Sequence, residues 1–111
     1  MIGYLRGSII DVNLQEKGLI LLAQNVGYQV GVSAELLGKS KVGQNVELFI
    51  HTALRENDLS LYGFETKEEY AFFKQLISVS GIGPKSAMEI LSAPLAVTQN
   101  AIVAEDAVTS G

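Results

Sequence analysis

Two glycines separated by one residue lie between two segments that have the apolar spacing of helices. They are Gly81 and Gly83, and Pro84 follows them directly. Glycine tolerates the positive φ of a tight bend, and proline suits the first position of a helix, where its missing N–H costs no bond. This order of residues predicts a helix–hairpin–helix whose second helix begins at Pro84.

The start of a helix carries N–H groups without partners and the positive end of the helix dipole, so it can bind a phosphate group. Consecutive amides around a Gly-x-Gly bend form a similar anion-binding hollow. We therefore predict a DNA-backbone site formed by Gly81, Ile82, Gly83, Lys85 and Ser86. Such a site would hold the sugar–phosphate chain without reading the bases. The alternative is an ordinary turn followed by a solvated lysine.

Patterns typical of catalysis or metal binding are absent from the sequence. The chain has no cysteine, and its single histidine, His51, has no partners at the spacing of a catalytic triad or a metal site. It also lacks the Gly-x-x-x-x-Gly-Lys-[Ser/Thr] loop that binds nucleotide phosphates. We expect no catalytic residue, no metal and no bound cofactor.

The charge of the chain is unevenly distributed along its 111 residues, and the net charge is −4. Residues 56–111 hold eight acidic and three basic side chains, whereas residues 1–55 are nearly balanced. An acidic chain binds nucleic acid only where its positive charge is collected on one face. No apolar run is long enough to span a membrane, and we expect no signal peptide, no membrane contact and a cytoplasmic protein.

Residues 1–64 show the alternation of strands. Short apolar and alternating runs, separated by turn signals, predict five or six strands, and these lie over residues 2–10, 19–23, 26–32, 44–54 and 59–64. A serine-capped helical turn is predicted over residues 33–38. Strands of this length and spacing favour a small closed or half-closed barrel. We expect four aromatic residues to fill that barrel rather than to stack on bases: Tyr4, Tyr28, Tyr62 and Phe64.

After Phe64 the apolar period changes from two to about 3.6, which is the period of a helix. Thr66 followed by Glu69 is a capping box, so a helix is predicted over residues 67–78. Further helices are predicted over residues 84–91 and 95–104. We expect an α+β chain of two domains, with a barrel in residues 1–64 and a helical DNA-binding domain in residues 65–111.

Several motifs, in the right order, resemble the RuvA family, the bacterial subunit that binds four-way (Holliday) DNA junctions. The resemblance covers residues 1 to 92. It rests on the opening residues 1–7, the Gly-Tyr stretch at 25–30, the hairpin and exit strand at 55–64, and the helix–hairpin–helix at 73–87.

The resemblance implies an OB-fold barrel followed by a helical domain, assembled as a homotetramer with fourfold symmetry. It implies a role in DNA recombination, DNA repair and the SOS response to DNA damage, as the DNA-binding subunit of a helicase complex. It also implies a partner, a hexameric RuvB-type motor, which would use the ATP and Mg.

The same resemblance assigns the turn before the exit strand to an acidic pin at the junction centre, where repulsion of phosphates helps to separate strands. The pin residues would be Glu56, Asn57 and Asp58, with Asp58 substituting for an acidic residue one place earlier. Without the resemblance, these residues read as a polar turn.

The family also has a second helix–hairpin–helix and a small motor-binding domain, and neither occurs in these residues. We therefore expect the chain to be part of a longer protein, without coupling to the motor. Two other functions stay open: a sequence-tolerant single-stranded DNA-binding OB-fold module, and an assembly module that binds no DNA. A base-excision glycosylase is disfavoured, because it needs a catalytic Asp or Lys in a larger helical body than these residues predict.

Overall fold

The computed structural model describes residues 1–92, apart from the side chain of Arg55, and this part contains five strands and three helices. The elements are β1 (Tyr4–Asn13), β2 (Gly18–Ala23), β3 (Val26–Gly31), α1 (Ala34–Gly38), β4 (Asn45–Arg55), β5 (Asp58–Phe64), α2 (Lys67–Val79) and α3 (Pro84–Ser92). The predicted α+β fold class is confirmed. The helix predicted over residues 95–104 lies outside the described residues.

The five strands form a closed, OB-like barrel in the order β1-β2-β3-β5-β4. All neighbours are antiparallel except β3 and β5, which pair in parallel at Val30↔Leu61 and Gly31↔Tyr62. In β1 the register with β2 shifts between Ile9 and Asp11. Such a bulge bends a strand. Residues 4–8 of β1 pair with β4, and residues 8–13 pair with β2.

The barrel interior is filled by aliphatic side chains from alternate strand positions, together with the two buried leucines of α1. The buried members are Leu5, Ile9, Leu19, Leu21, Ala23, Val30, Val32, Leu36, Leu37, Leu48, Ile50 and Leu61. Tyr28 packs against this core and is half-buried. The period of two along each strand therefore separates an inner apolar face from an outer one.

A second cluster lies on the outer face of β5, where α2 and α3 pack. Its buried members are Phe64, Phe73, Ala87 and Met88. The ring of Phe73 lies 4.8 Å from that of Phe64 and 5.2 Å from that of His51, measured between centroids. We call these four buried residues, together with the side chains packed against them, the aromatic cluster. It joins the helices to the barrel.

The prediction that the four aromatic residues fill the barrel is wrong for three of them. Tyr62 and Phe64 alternate with the inward-facing Leu61 and belong to the aromatic cluster. Tyr4 is 47% exposed, and its hydroxyl donates a hydrogen bond to Glu47 Oε1 at 2.6 Å. Both faces of β5 are apolar, because one packs in the barrel and the other against helices.

Two polar contacts also tie the helices to the barrel. The amide of Ala34, at the start of α1, donates to Ser92 Oγ at 2.9 Å. Lys39 Nζ lies 2.9 Å from Glu65 Oε1, in the segment that connects β5 to α2. The first contact joins the end of α3 to the start of α1, and the second joins the end of α1 to the segment before α2. Within residues 1–92, none of the helices is long and apolar enough to cross a bilayer.

Candidate nucleic-acid interface

The connection between α2 and α3 is a short bend formed by residues that cannot continue a helix. Helix α2 is capped at its start by Thr66 Oγ1, which accepts a hydrogen bond from the Glu69 amide at 3.1 Å. At its end, Ser80 donates its amide to the Leu76 carbonyl, and Gly81 then takes a φ of +71°. A side chain is disfavoured at that φ, so a glycine is required to leave the helix in this direction.

Helix α3 begins at Pro84, as predicted. The first backbone hydrogen bond of this helix runs from the Ala87 amide to the Gly83 carbonyl, at 3.0 Å. Within residues 1–92, no acceptor engages the amides of Gly81, Ile82, Gly83, Lys85 or Ser86. Five main-chain donors therefore remain available around one bend. This end of a nine-residue helix has the charge and donors that an anion requires.

The side chains of the bend divide into one anchor and four exposed positions. Ile82 is half-buried and packs against the aromatic cluster. Gly81, Gly83, Lys85 and Ser86 are exposed. A Cβ built on Gly83 would meet no atom within 4 Å, and its φ is not positive. The fold therefore does not require glycine at 83, and the small residue leaves the amides open to close approach from outside.

The predicted acidic residues lie at the tip of the β4–β5 hairpin. Glu56 and Asn57 form the turn, and Asp58 pairs with Arg55 across it. Glu56, Asn57 and Asp58 are exposed. Ser60 Oγ donates to Asp58 Oδ2 at 3.1 Å, which holds that carboxylate in a defined orientation. The tip is a tight turn that exposes the carboxylates of Glu56 and Asp58.

One groove of about 700 Å³ contains residues from both predicted sites. Asp58 lines it from β5, and Lys85 lines it from the first turn of α3. Lys17, in the turn between β1 and β2, lines it as well. Lys17 is not among the predicted site residues, because nothing in the neighbouring sequence indicates which distant element this turn approaches.

His51 does not have the environment of a catalytic base. Its ring packs edge-on against Phe73, and burial lowers the pKa of the imidazole, with the charge of Lys74 as the second cause. Both causes favour the neutral ring. Within the part of the chain that is described, no group of three or more His, Asp or Glu side chains could hold a metal ion.

Comparisons with known proteins agree with the motifs. The model of the RuvA N terminal domain matches residues 1–63. A relative from Halothermothrix orenii is 49% identical over 92 residues, which are 83% of this chain and 46% of that protein. A relative from Synechococcus elongatus is 44% identical over 108 residues, or 94% of this chain and 52% of that protein.

A third relative, from Bdellovibrio bacteriovorus, is 45% identical over 94 residues, which are 83% of this chain and 47% of that protein. All three are named Holliday junction branch migration complex subunit RuvA. The chain spans about half the length of the curated relatives it matches.

Proposed function

Because the chain belongs to the RuvA family, we propose that it binds four-way DNA junctions as the non-motor subunit of a branch-migration complex. The observation that carries this proposal is the bend before α3, where main-chain donors that have no partner within residues 1–92 surround an exposed, glycine-containing turn. Such a bend suits the phosphates of a DNA backbone and no particular base sequence.

One such bend binds phosphate too weakly to hold a junction by itself, which favours an assembly of several copies. An anion at an exposed helix start gains only about 0.3–1 kcal/mol from the dipole. Lys85 adds one phosphate contact, which is also weak at physiological salt. Joining several weak sites on one rigid particle can raise affinity by about 10²–10⁴. A homotetramer, with one copy facing each arm of the junction, supplies that gain.

The acidic pin gives selectivity for a branched molecule over a continuous duplex. Glu56 and Asp58 are exposed, and Asp58 shares a groove with Lys85. Phosphates held by the bend before α3 would therefore lie beside a region that repels them, which restricts the path of the DNA backbone. At a branch point the strands diverge around a centre, so their phosphates can contact the bend and still avoid the acidic pin. A continuous duplex cannot do both.

The motor activity is assigned to a partner. The sequence has no nucleotide-binding phosphate loop. A RuvB-type hexamer would therefore bind ATP and Mg, and this chain would hold the junction while the motor moves the arms. This work belongs to recombination and DNA repair, in the cytoplasm.

One observation favours a second candidate function, the binding of single strands on the barrel. Tyr4 is 47% exposed on the outer face of β1, with its ring 5.7 Å from that of Phe49. Exposed aromatic rings on OB folds stack on bases without sequence preference. This function requires Tyr4 and makes the bend before α3 dispensable.

The test is an anisotropy titration of the chain with a four-way junction, a duplex and a single strand of matched sequence. The proposal predicts the tightest binding to the junction. Lys85→Gln should weaken it and lower the slope of log K against log salt by roughly one, as expected for one lost phosphate contact.

Lys67→Gln is the matched control. Lys67 is exposed, carries the same charge and lies at the opposite end of α2, about 20 Å from the bend. The control should bind like the native chain. Preference for the single strand, with loss of binding in Tyr4→Ala, would favour the second candidate instead.

A further inference from the structure

The β4–β5 hairpin carries an apolar face beyond the end of the barrel. On β4, Leu48 and Ile50 are buried in the interior. Thr52 is next on the same face, and its hydroxyl donates to the Ile2 carbonyl at 2.7 Å. Leu54 follows in the same alternation and is 78% exposed. The inner face of the strand therefore continues past the barrel core into open solvent.

The opposite strand behaves in the same way. Leu61 is buried in the barrel, and Leu59, two residues nearer the tip, is 58% exposed. Leu54 and Leu59 are paired residues in the hairpin register. Directly paired residues of antiparallel strands place their side chains on the same face, about 5 Å apart. The two leucines thus form one apolar unit, which we call the leucine pair.

In the part of the chain that the structure describes, no third strand pairs with the hairpin at the leucine pair. The other neighbour of β5 is β3, and their pairing is confined to Leu61 and Tyr62. Within residues 1–92, the part of the hairpin beyond Leu61 is paired only with itself. Leu54 and Leu59 are exposed near the tip of the hairpin and are not part of the barrel core.

The charges beside the leucine pair restrict which part of DNA can contact it. The turn carries Glu56, and Asp58 follows it with its carboxylate held by Ser60. These carboxylates repel the phosphates of an approaching strand at the tip. Lys17 and Lys85, which line the groove that Leu59 also lines, attract phosphates into that groove instead. Base faces are uncharged and apolar, so they are the part of DNA that can approach such a tip.

We propose that the leucine pair contacts the faces of unpaired bases at the branch point of the junction. This inference rests on the proposed function, since it requires the pin to lie at the junction centre. Leucine is among the residues that proteins insert between base steps, where it replaces lost stacking. The carboxylates set the paths of the backbones, and the leucines hold bases that have left the stack.

The test uses a four-way junction that contains a fluorescent adenine analogue, whose emission rises when stacking is lost. One junction carries the analogue at the branch point, and a second carries it in the middle of an arm. At saturating protein, the native chain should raise emission at the branch point and not in the arm. The double variant Leu54→Thr, Leu59→Thr should remove that rise while junction affinity changes by less than about threefold.

Val42→Thr is the matched control, because Val42 is 65% exposed and precedes β4, at the end of that strand opposite the tip. It should give the native emission. Binding of the native chain without any rise at the branch point would overturn this inference alone. Absence of junction binding would overturn the proposed function and this inference with it.

A second copy of the hairpin is the competing occupant of the leucine pair. Thermal unfolding and mass in solution of the double variant distinguish this case from base contact. A native-like melting curve and mass, combined with the lost emission, support base contact. A lower mass would show that the leucines join copies of the chain, which contradicts the inference.

Discussion

Asp58, at the start of β5, and Lys85, in the first turn of α3, line the same groove. The negative charge belongs to the barrel hairpin and the positive charge to the helical hairpin. Their positions are fixed relative to each other by the aromatic cluster and by the bond from the Ala34 amide to Ser92 Oγ. In the proposed complex, a phosphate bound near Lys85 would therefore be kept at a set position from the carboxylate of Asp58.

The first prediction concerns Gly83, where a methyl group would add bulk to the exposed side of a bend whose amides have no partner within residues 1–92. Gly83→Ala should lower junction affinity, because the phosphate can no longer approach the main chain. Stability should change by less than about 1 kcal/mol, since a Cβ there meets no atom within 4 Å and φ is not positive. Anisotropy titration and thermal unfolding of the same sample measure the two effects.

Gly81→Ala is the contrasting variant, because Gly81 has a φ of +71°. A side chain in this region costs about 1–2 kcal/mol, so this variant should melt at a lower temperature. If Gly83→Ala kept native affinity, the amides of the bend would have no part in DNA binding.

The second prediction concerns the charge of the acidic pin. In the double variant Glu56→Gln, Asp58→Asn, the new amide oxygen at 58 can still accept from Ser60, so the turn should be preserved. We expect junction affinity to be unchanged or raised, because repulsion of phosphates is removed, and strand separation at the branch point to fall. Chemical probing of unpaired bases in the bound junction measures strand separation.

Asn57→Asp adds a negative charge at the same tip. It should increase strand separation in the native chain and restore part of it in the neutralised double variant. Equal losses of affinity and strand separation in the neutralised variant would refute a pin role for Glu56 and Asp58.

The third prediction concerns the aromatic cluster. Phe73 is fully buried, with rings from β4 and β5 packed around it. Phe73→Ala should cost about 3–5 kcal/mol, a typical value for a truncated buried phenylalanine. Far-ultraviolet circular dichroism should show loss of helix at temperatures where the barrel core is still folded.

Phe72→Ala provides the control on the same helix, because Phe72 is only half-buried and is not part of the aromatic cluster. Its unfolding temperature should stay much closer to the native one. Equal destabilisation by the two variants would show that the cluster does not hold the helices on the barrel.

The fourth prediction is a pH dependence that arises at His51. Burial, and then the charge of Lys74, lower the pKa of His51 in the folded state. The pKa of this ring in the unfolded chain is about 6.5. Well above that pH the ring is neutral in both states, so its titration costs the folded state no stability. As pH falls below that value, the unfolded state binds the proton first, so stability falls until the lower folded pKa is passed.

His51→Gln removes this titration and should flatten the melting temperature against pH in that interval. The slopes are compared rather than the absolute temperatures, because the variant also loses the ring contact with Phe73. Identical slopes would assign the pH dependence to other groups.

The sequence predicted the elements whose causes are local. Alternation defined the strands, Thr66 with Glu69 defined the start of α2, and Gly81 with Pro84 defined the bend before α3. The bend depends on the positive φ of Gly81 and on the N–H that Pro84 lacks, and both are properties of the residues at the bend itself. The division into two domains near residue 64 stays a prediction.

Features that depend on distant packing could not be predicted. The sequence shows that Tyr62 and Phe64 are apolar, but not that their face of β5 meets α2 rather than the barrel core. The approach of Lys17 to the groove depends on how β1 and β2 pair. The exposure of Leu54 depends on where the barrel ends, which periodicity does not reveal.

The central claim is that free amides before α3 hold the backbone of a junction. The most direct measurement is a nuclear magnetic resonance titration of the isotope-labelled chain with a four-way junction. We predict that the largest amide shifts belong to Gly81, Gly83, Lys85 and Ser86, and that equal concentrations of single-stranded DNA cause smaller ones. Unmoved signals at these four residues, with shifts confined to the barrel around Tyr4, would contradict the claim.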